Sequence, residues 1–163
     1  MSGPPLTAGL FGKLPATGDF VARGLAPDVL AWLDPWISRY LAPRFAVSTT
    51  PLVFRFAYPP GPLAGLATAS RDRAGRAFPL VLAVPASPEP GDPWFARLLL
   101  LATEAPGLAA DALAARLAAL PEPGSPDPDP APLRLWTPNH APCAADPAAP
   151  GAVLDALLAE APC

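Results

Sequence analysis

"PLVFRFAYPPGPLAGLATASRDRAGRAFPLVLAV", residues 51–84, is the stretch on which the fold turns. Its first run alternates. Leu52, Phe54, Phe56 and Tyr58 fall on one face of an extended chain, and Arg55 falls on the other. "GLATAS" is a weaker run of small residues. "AFPLVLAV" is a strong one, with Phe78, Leu80, Leu82 and Val84 on one face. Pro79 cannot donate to a ladder, which points to a sheet edge or a bulge there. Three such runs joined by short turns predict an antiparallel meander. "SRDRAGR", residues 70–76, then sits at its second hairpin, with Gly75 available for a positive φ.

On the N-terminal side, "LTAGLFGKL" reads as a strand ending near Lys13, and "PATGDF" as a turn. Leu30, Leu33, Ile37 and Leu41 recur at helical spacing, as do Val29, Leu33, Trp36 and Tyr40. Pro35 would break an interior turn, so Asp34-Pro35 is expected to cap and restart the helix, which gives either a kinked helix or two short ones. On the C-terminal side, "PWFARLLLLATEA" and "LAADALAARLAAL" read as helices, "PLRLWT" as a strand and "AVLDALLAEA" as a closing helix. "PEPGSPDPDP", residues 121–130, alternates prolines with acids and reads as a linker. Residues 138–150 read as loop. The order is strand, helix, three strands, two helices, strand, helix. It predicts an α+β fold, a three-layer α/β/α sandwich around a mixed, mainly antiparallel sheet.

The 163 residues suit one domain. Apolar residues make up 52% and charged residues 15%, a core-forming balance that needs no disulfide or metal staple. Net charge is −3, which argues against a nucleic-acid partner. The charge is uneven: eight basic and four acidic side chains lie in residues 1–80, and three basic and ten acidic ones in residues 81–163. Cys143 and Cys163 have no His/Cys cluster around them, so they read as two thiols rather than a metal site. The first residues lack a basic stretch followed by a long apolar one, and no apolar run reaches the roughly 20 residues of a membrane span. The expectation is a cytoplasmic protein with no direct membrane insertion and no cofactor.

Gly12-Lys13 invites a phosphate-loop reading, which fails on two counts. Thr7 stands where the first glycine must be, and Leu14 where a Ser or Thr must follow the lysine. His140 is the single histidine, and no G-x-S-x-G elbow accompanies it, so a catalytic triad is not expected. Trp32, Trp36, Trp94 and Trp136 read as core aromatics rather than a ligand cage. "SRDRAGR" admits two readings. Asp72 can tie the hairpin by pairing with an arginine, or the guanidinium forks of Arg71, Arg73 and Arg76 can meet an acidic partner or a phosphate.

Two segments carry a resemblance. "GKLPATGDFV", with Gly12, Lys13, Leu14, Pro15, Gly18, Asp19, Phe20 and Val21, is the first. Ser70, Asp72, Arg73, Gly75, Arg76, Phe78, Pro79 and Leu80 are the second, followed by "LRLWT" around Trp136. Together, over residues 9 to 137, they resemble the TagF (ImpM) family of type VI secretion-associated proteins. Ala69 and Arg71 depart from the family's usual residues at their positions. The resemblance implies an α/β/α layered fold. It also implies a cytoplasmic accessory protein that represses secretion after translation, through a forkhead-associated (Fha) scaffold protein. No catalytic residues come with it, so the chain is expected not to be an enzyme. A small anion or phospho-ligand sensor, and a small hydrolase using Ser70 with Asp72, are the competing readings. The expected site is a network in which Asp72 and Arg73 or Arg76 hold the hairpin against the Gly12–Phe20 turn. In it Asp19 neutralises an arginine, Gly18 and Gly75 supply unusual backbone, and the remaining arginine faces the partner.

Overall fold

The computed structural model describes residues 7–57 and 61–159. Tyr58 and Cys163, both named above, lie outside the described residues. Seven strands form one sheet: β1 (Gly9–Gly12), β2 (Val21–Arg23), β3 (Leu52–Phe56), β4 (Leu63–Thr68), β5 (Leu80–Val84), β6 (Leu133–Thr137) and β7 (His140–Ala145). Their spatial order is β2-β1-β5-β4-β3-β6-β7. The meander β3-β4-β5 is its centre, with Phe54 opposite Gly65 and Gly65 opposite Ala83. β1 adds to β5, and β6 adds to β3. Every pairing is antiparallel, in a sheet expected to be mainly so.

The alternation read in the sequence divides the core. Leu10, Leu66, Leu82 and Trp136 face α3 (Pro93–Glu104) and α4 (Ala110–Ala118). Phe11, Phe54, Phe56, Val81 and Leu135 face α1 (Pro27–Trp36), α2 (Ala42–Phe45) and α5 (Gly151–Leu158). Both faces of the sheet are thereby closed with helices. Asp92 caps α3 by accepting a hydrogen bond from the Trp94 backbone N–H at 2.9 Å, with Pro93 at the first helical position.

Four local expectations are corrected. The first concerns Pro35, which starts no new helix. α1 runs through it and loosens into a π-turn at Ile37–Leu41. The helix takes Pro35 into its last turn, and Leu33, Ile37 and Leu41 all stay in the core. Asp34 is not a cap; it accepts from the Ser38 hydroxyl at 3.2 Å. The second concerns Pro79. It marks neither an edge nor a bulge but precedes β5, an interior strand. The third concerns residues 138–150, which include a strand, β7. The fourth is β2, which no sequence pattern predicts. β2 and β7 are the sheet's two edges, and β7 tolerates Pro142 because no described strand pairs with its outer side.

Candidate functional site

The antiparallel register of β1 and β5 decides where the two motifs go. Gly12 ends β1 and Leu80 begins β5, so the turn after one and the hairpin before the other project from the same end of the sheet. Gly12 lies so close to β5 that an added Cβ would stand 2.1 Å from the Pro79 carbonyl oxygen, and its φ is +135°. Only glycine permits that approach. Pro79 is thus the backbone against which the first motif packs.

Asp72 is the centre of the hairpin. Its side chain is fully buried. One carboxylate oxygen accepts from the backbone N–H groups of Ala74 and Arg76, each at 2.9 Å. The other accepts from Arg76 Nε at 2.8 Å and from Lys13 Nζ at 3.0 Å. Gly75, at φ +83°, makes the tight turn that closes the N–H groups over the carboxylate. Burial pushes the Asp72 pKa up. The Arg76 backbone bond, the Lys13 bond and the two cations outweigh it and hold the pKa at about 2. Asp72 is therefore ionised throughout the neutral range.

The hairpin grips the turn through backbone as well. The Ser70 hydroxyl donates to the Lys13 carbonyl at 2.6 Å. Arg73 donates its backbone N–H to Thr17 O at 2.6 Å and Nη2 to Ala16 O at 2.7 Å. Arg76 Nη2 reaches Gly18 O at 2.8 Å. Lys13 lies 4.9 Å from the Phe20 ring centroid, and Phe20 packs edge-on against Phe78 at 4.8 Å. Phe20 is still 49% exposed. Pro15, Ser70 and Arg71 line a cleft of about 360 Å³ shared with residues 45–49.

The residues singled out in the two motifs thus meet at one end of the sheet. Asp72 takes Arg76, one of the two arginines expected, and adds Lys13 as a second cation. Two roles differ from expectation. Asp19 neutralises no arginine; its carboxylate accepts from the neighbouring Phe20 N–H at 2.8 Å, and carbonyl groups serve the arginines instead. Gly18 has no positive φ, and a Cβ there would meet nothing within 4 Å.

A second ionic cluster is one that sequence reasoning misses. Arg55, on the face of β3 opposite Phe54 and Phe56, is fully buried. Asp127, in the segment read as a linker, accepts from Arg55 Nε at 3.0 Å and from Arg134 Nη1 at 2.9 Å. Asp129 stands 4.0 Å from Arg55 and 3.7 Å from Arg134. The Arg55 guanidinium also donates to Ala131 O at 2.6 Å. Burial raises the Asp127 pKa, but the Asp129 backbone N–H and the two arginines lower it further, to a net value below the ordinary one. Prolines keep the segment from forming a helix or strand of its own, so its carboxylates can be laid across the sheet; the segment is a strap, not a linker. The signal in the sequence is Arg55 itself, a charge amid an apolar strand that demands a buried acid.

Other residues fall as follows. Trp94, Trp36 and Trp136 are core residues. Trp32 is half-buried and, with Trp36 and Tyr40, lines a cleft of about 610 Å³. His140 opens β7 rather than lying in a loop, with Nδ1 2.7 Å from Thr137 Oγ1. Cys143 is exposed. Among the described residues no group of three His, Cys, Asp or Glu could hold a metal, and no helix is long and apolar enough to cross a membrane.

Comparison with known proteins bears on this geometry. Residues 9–120 match the model of the TagF N-terminal domain, described as type VI secretion system-associated. Among solved structures, PA0076 from Pseudomonas aeruginosa PAO1, known from a crystal structure at 2.05 Å, is 29% identical with a TM-score of 0.61. The likeness covers 73% of this chain and 64% of that one, so the chain spans somewhat less than two thirds of that protein's length. No curated protein matches.

Proposed function

The chain belongs to the TagF N-terminal domain family of type VI secretion system-associated proteins, and from that premise we propose that it is a post-translational repressor of secretion. In this reading it acts in the cytoplasm by binding a forkhead-associated scaffold protein. It does so without catalysis.

The observation that carries the reading is how the polar groups of the two motifs are used. Lys13 and Arg76 are both held on the single carboxylate of Asp72, so the polar groups of the motifs are engaged with one another. The Ser70 hydroxyl donates to a carbonyl oxygen, and no histidine reaches it to act as a base. A hydrolase needs an activated nucleophile, and here the serine beside the network is tied into the backbone. What the network does is present a shaped surface. That is the work of an interaction protein.

The test is made in a bacterium that carries the gene and an active type VI system. Deletion should raise release of a secreted type VI protein. Overproduction should lower it with the transcripts of the system unchanged. The purified chain should co-elute with the purified scaffold. Deletion and overproduction that both leave secretion unaltered would refute the repressor reading.

A further inference from the structure

We propose that the Arg71 side of the motif hairpin is a docking surface for an acidic segment of a partner protein that also offers an apolar side chain. The proposal names the partner chemistry of the surface just described, and so rests on the reading of the chain as an interaction protein.

Charge complementarity is the first argument. Among the described residues, Arg71 and Arg73 have no carboxylate within ion-pair distance, whereas Arg76 has Asp72. Both are exposed. Both are nevertheless held in place, Arg71 by Gly75 O at 2.9 Å and Arg73 by Ala16 O at 2.7 Å. Each guanidinium uses one N–H on a carbonyl and keeps its remaining donors for solvent or a ligand. A carboxylate arriving there meets cations whose rotamers are already fixed, which removes much of the ordering cost of binding. Two ordered arginines without counter-ions stand out in a chain of net charge −3.

The shape of the neighbouring cleft is the second argument. It is lined by Pro15, Phe45, Val47, Ser70 and Arg71. Val47 is 90% exposed at its rim, an apolar side chain that supports nothing in the core. Phe20, half-exposed, belongs to the same pair of motifs. A phosphate or other small anion would satisfy the arginines but leave Val47 and the cleft unused. A peptide that pairs acids with apolar side chains satisfies both. Net negative charge, and Arg71 as the one cation among the described residues lining the cleft, speak against a nucleic-acid strand.

The experiment uses the full chain, labelled with ¹⁵N, and three probes. They are a short peptide of alternating aspartate and leucine, the same peptide with asparagine for aspartate, and inorganic phosphate. The aspartate peptide should shift the amides of Val47, Ser48 and Arg71 to Gly75 saturably, and the asparagine peptide should not. The variant carrying Arg71→Glu and Arg73→Glu should bind the aspartate peptide about tenfold more weakly or worse while still unfolding cooperatively and keeping the dispersed amide spectrum of the folded chain, its melting temperature lowered only by the loss of the Arg71 bond to Gly75 O and the Arg73 bond to Ala16 O. Val47→Asp, which leaves the hairpin intact, should weaken it in the same direction. Failure of the aspartate peptide to bind, equal binding of both peptides, or shifts confined to other residues would overturn the proposal. So would phosphate reproducing the same shifts at the same strength, since the site would then be one for small anions. The scaffold protein separates the two readings. If it binds wild type and the double variant equally, the docking surface is wrong and the repressor reading stands. If it binds neither while the peptide results hold, the surface stands and the choice of partner falls.

Discussion

Asp72 and Asp127 are built alike and placed differently. Each is a buried carboxylate receiving two cations and backbone N–H groups, two at Asp72 and one at Asp127, and each has its pKa held below the ordinary value. At Asp127 both arginines belong to interior strands, β3 and β6, and the acid comes from a strap laid over them. Nothing charged is left over there except the half-exposed Asp129, which itself leans on the same arginines. At Asp72 the acid belongs to a hairpin at the rim, one cation is Lys13 from the other motif, and the Arg76 side chain is 62% exposed. Two further arginines stand beside it without acids. The first cluster is closed on itself and serves the fold. The second is open on one side and shapes a surface. Similar local chemistry therefore yields different roles according to whether the charges balance within the protein.

The largest effect separating the two should come from Asp127→Asn. It leaves the Arg55 guanidinium fully buried with its nearest counter-ion gone and only Asp129, 4.0 Å away, remaining; breaking a buried pair costs about 3–5 kcal/mol, and Asp129 holds the loss toward the lower end of that range. Urea unfolding should show that loss, and protease should begin to cut within residues 121–130, which the wild type holds through Asp127 N–H to Ser87 O and Gly124 N–H to Asp92. The double change Arg55→Met with Asp127→Leu should recover much of the stability, because an apolar pair needs no desolvation of charge. A loss under about 1 kcal/mol in the single variant would mean that the strap is not a structural member.

Asp72→Asn should cost less, lowering the melting temperature by roughly 2–4 °C, because part of the network faces water. Its pH dependence sharpens the comparison. The folded pKa of Asp72 is depressed from 3.8 to about 2. The stability it confers is present above the unfolded value and is lost as pH falls through the folded one. The gap in melting temperature between wild type and Asp72→Asn should therefore be constant near neutrality and close as pH falls from about 5 toward about 2. A gap that does not change with pH would show that the carboxylate charge is not what holds the hairpin.

The two clusters also differ in how far the sequence reveals them. The Asp72 hairpin is legible because its parts are contiguous: an arginine, an aspartate and a glycine within a turn between two strands. Its partner Lys13 is visible as part of a motif, but its pairing depends on β1 adding to β5, which no local pattern announces. The Asp127 cluster is assembled from three distant segments, and the one carrying the acid has the composition of a linker. The same reason explains the missed strands. β3, β4 and β5 are buried on both faces and carry runs of apolar residues, whereas β2 is three residues long and β7 is largely exposed and built of small residues. Edge strands take their structure from a neighbour, and a neighbour is not visible in sequence.

The smallest effects distinguish the glycines of the two motifs. Gly75 and Gly18 both lie in turns that the Asp72 network binds together, and the sequence treats them alike. The backbone does not. Gly75 has φ +83° and open space where a Cβ would stand, so alanine there meets no clash and pays only for the left-handed conformation, about 1–2 kcal/mol. Gly18 also has open space but no positive φ, and its contribution to the network is a carbonyl that accepts from Arg76 Nη2. Alanine keeps that carbonyl. It also restricts the unfolded chain, which favours folding by about 0.4–1 kcal/mol where the native backbone suits it. Gly75→Ala should thus lower stability in urea, while Gly18→Ala should leave it level or raise it slightly. If Gly18→Ala destabilises as much as Gly75→Ala, the turn after β1 is under a constraint that these contacts do not contain, and the hairpin is not the stiffer of the two halves.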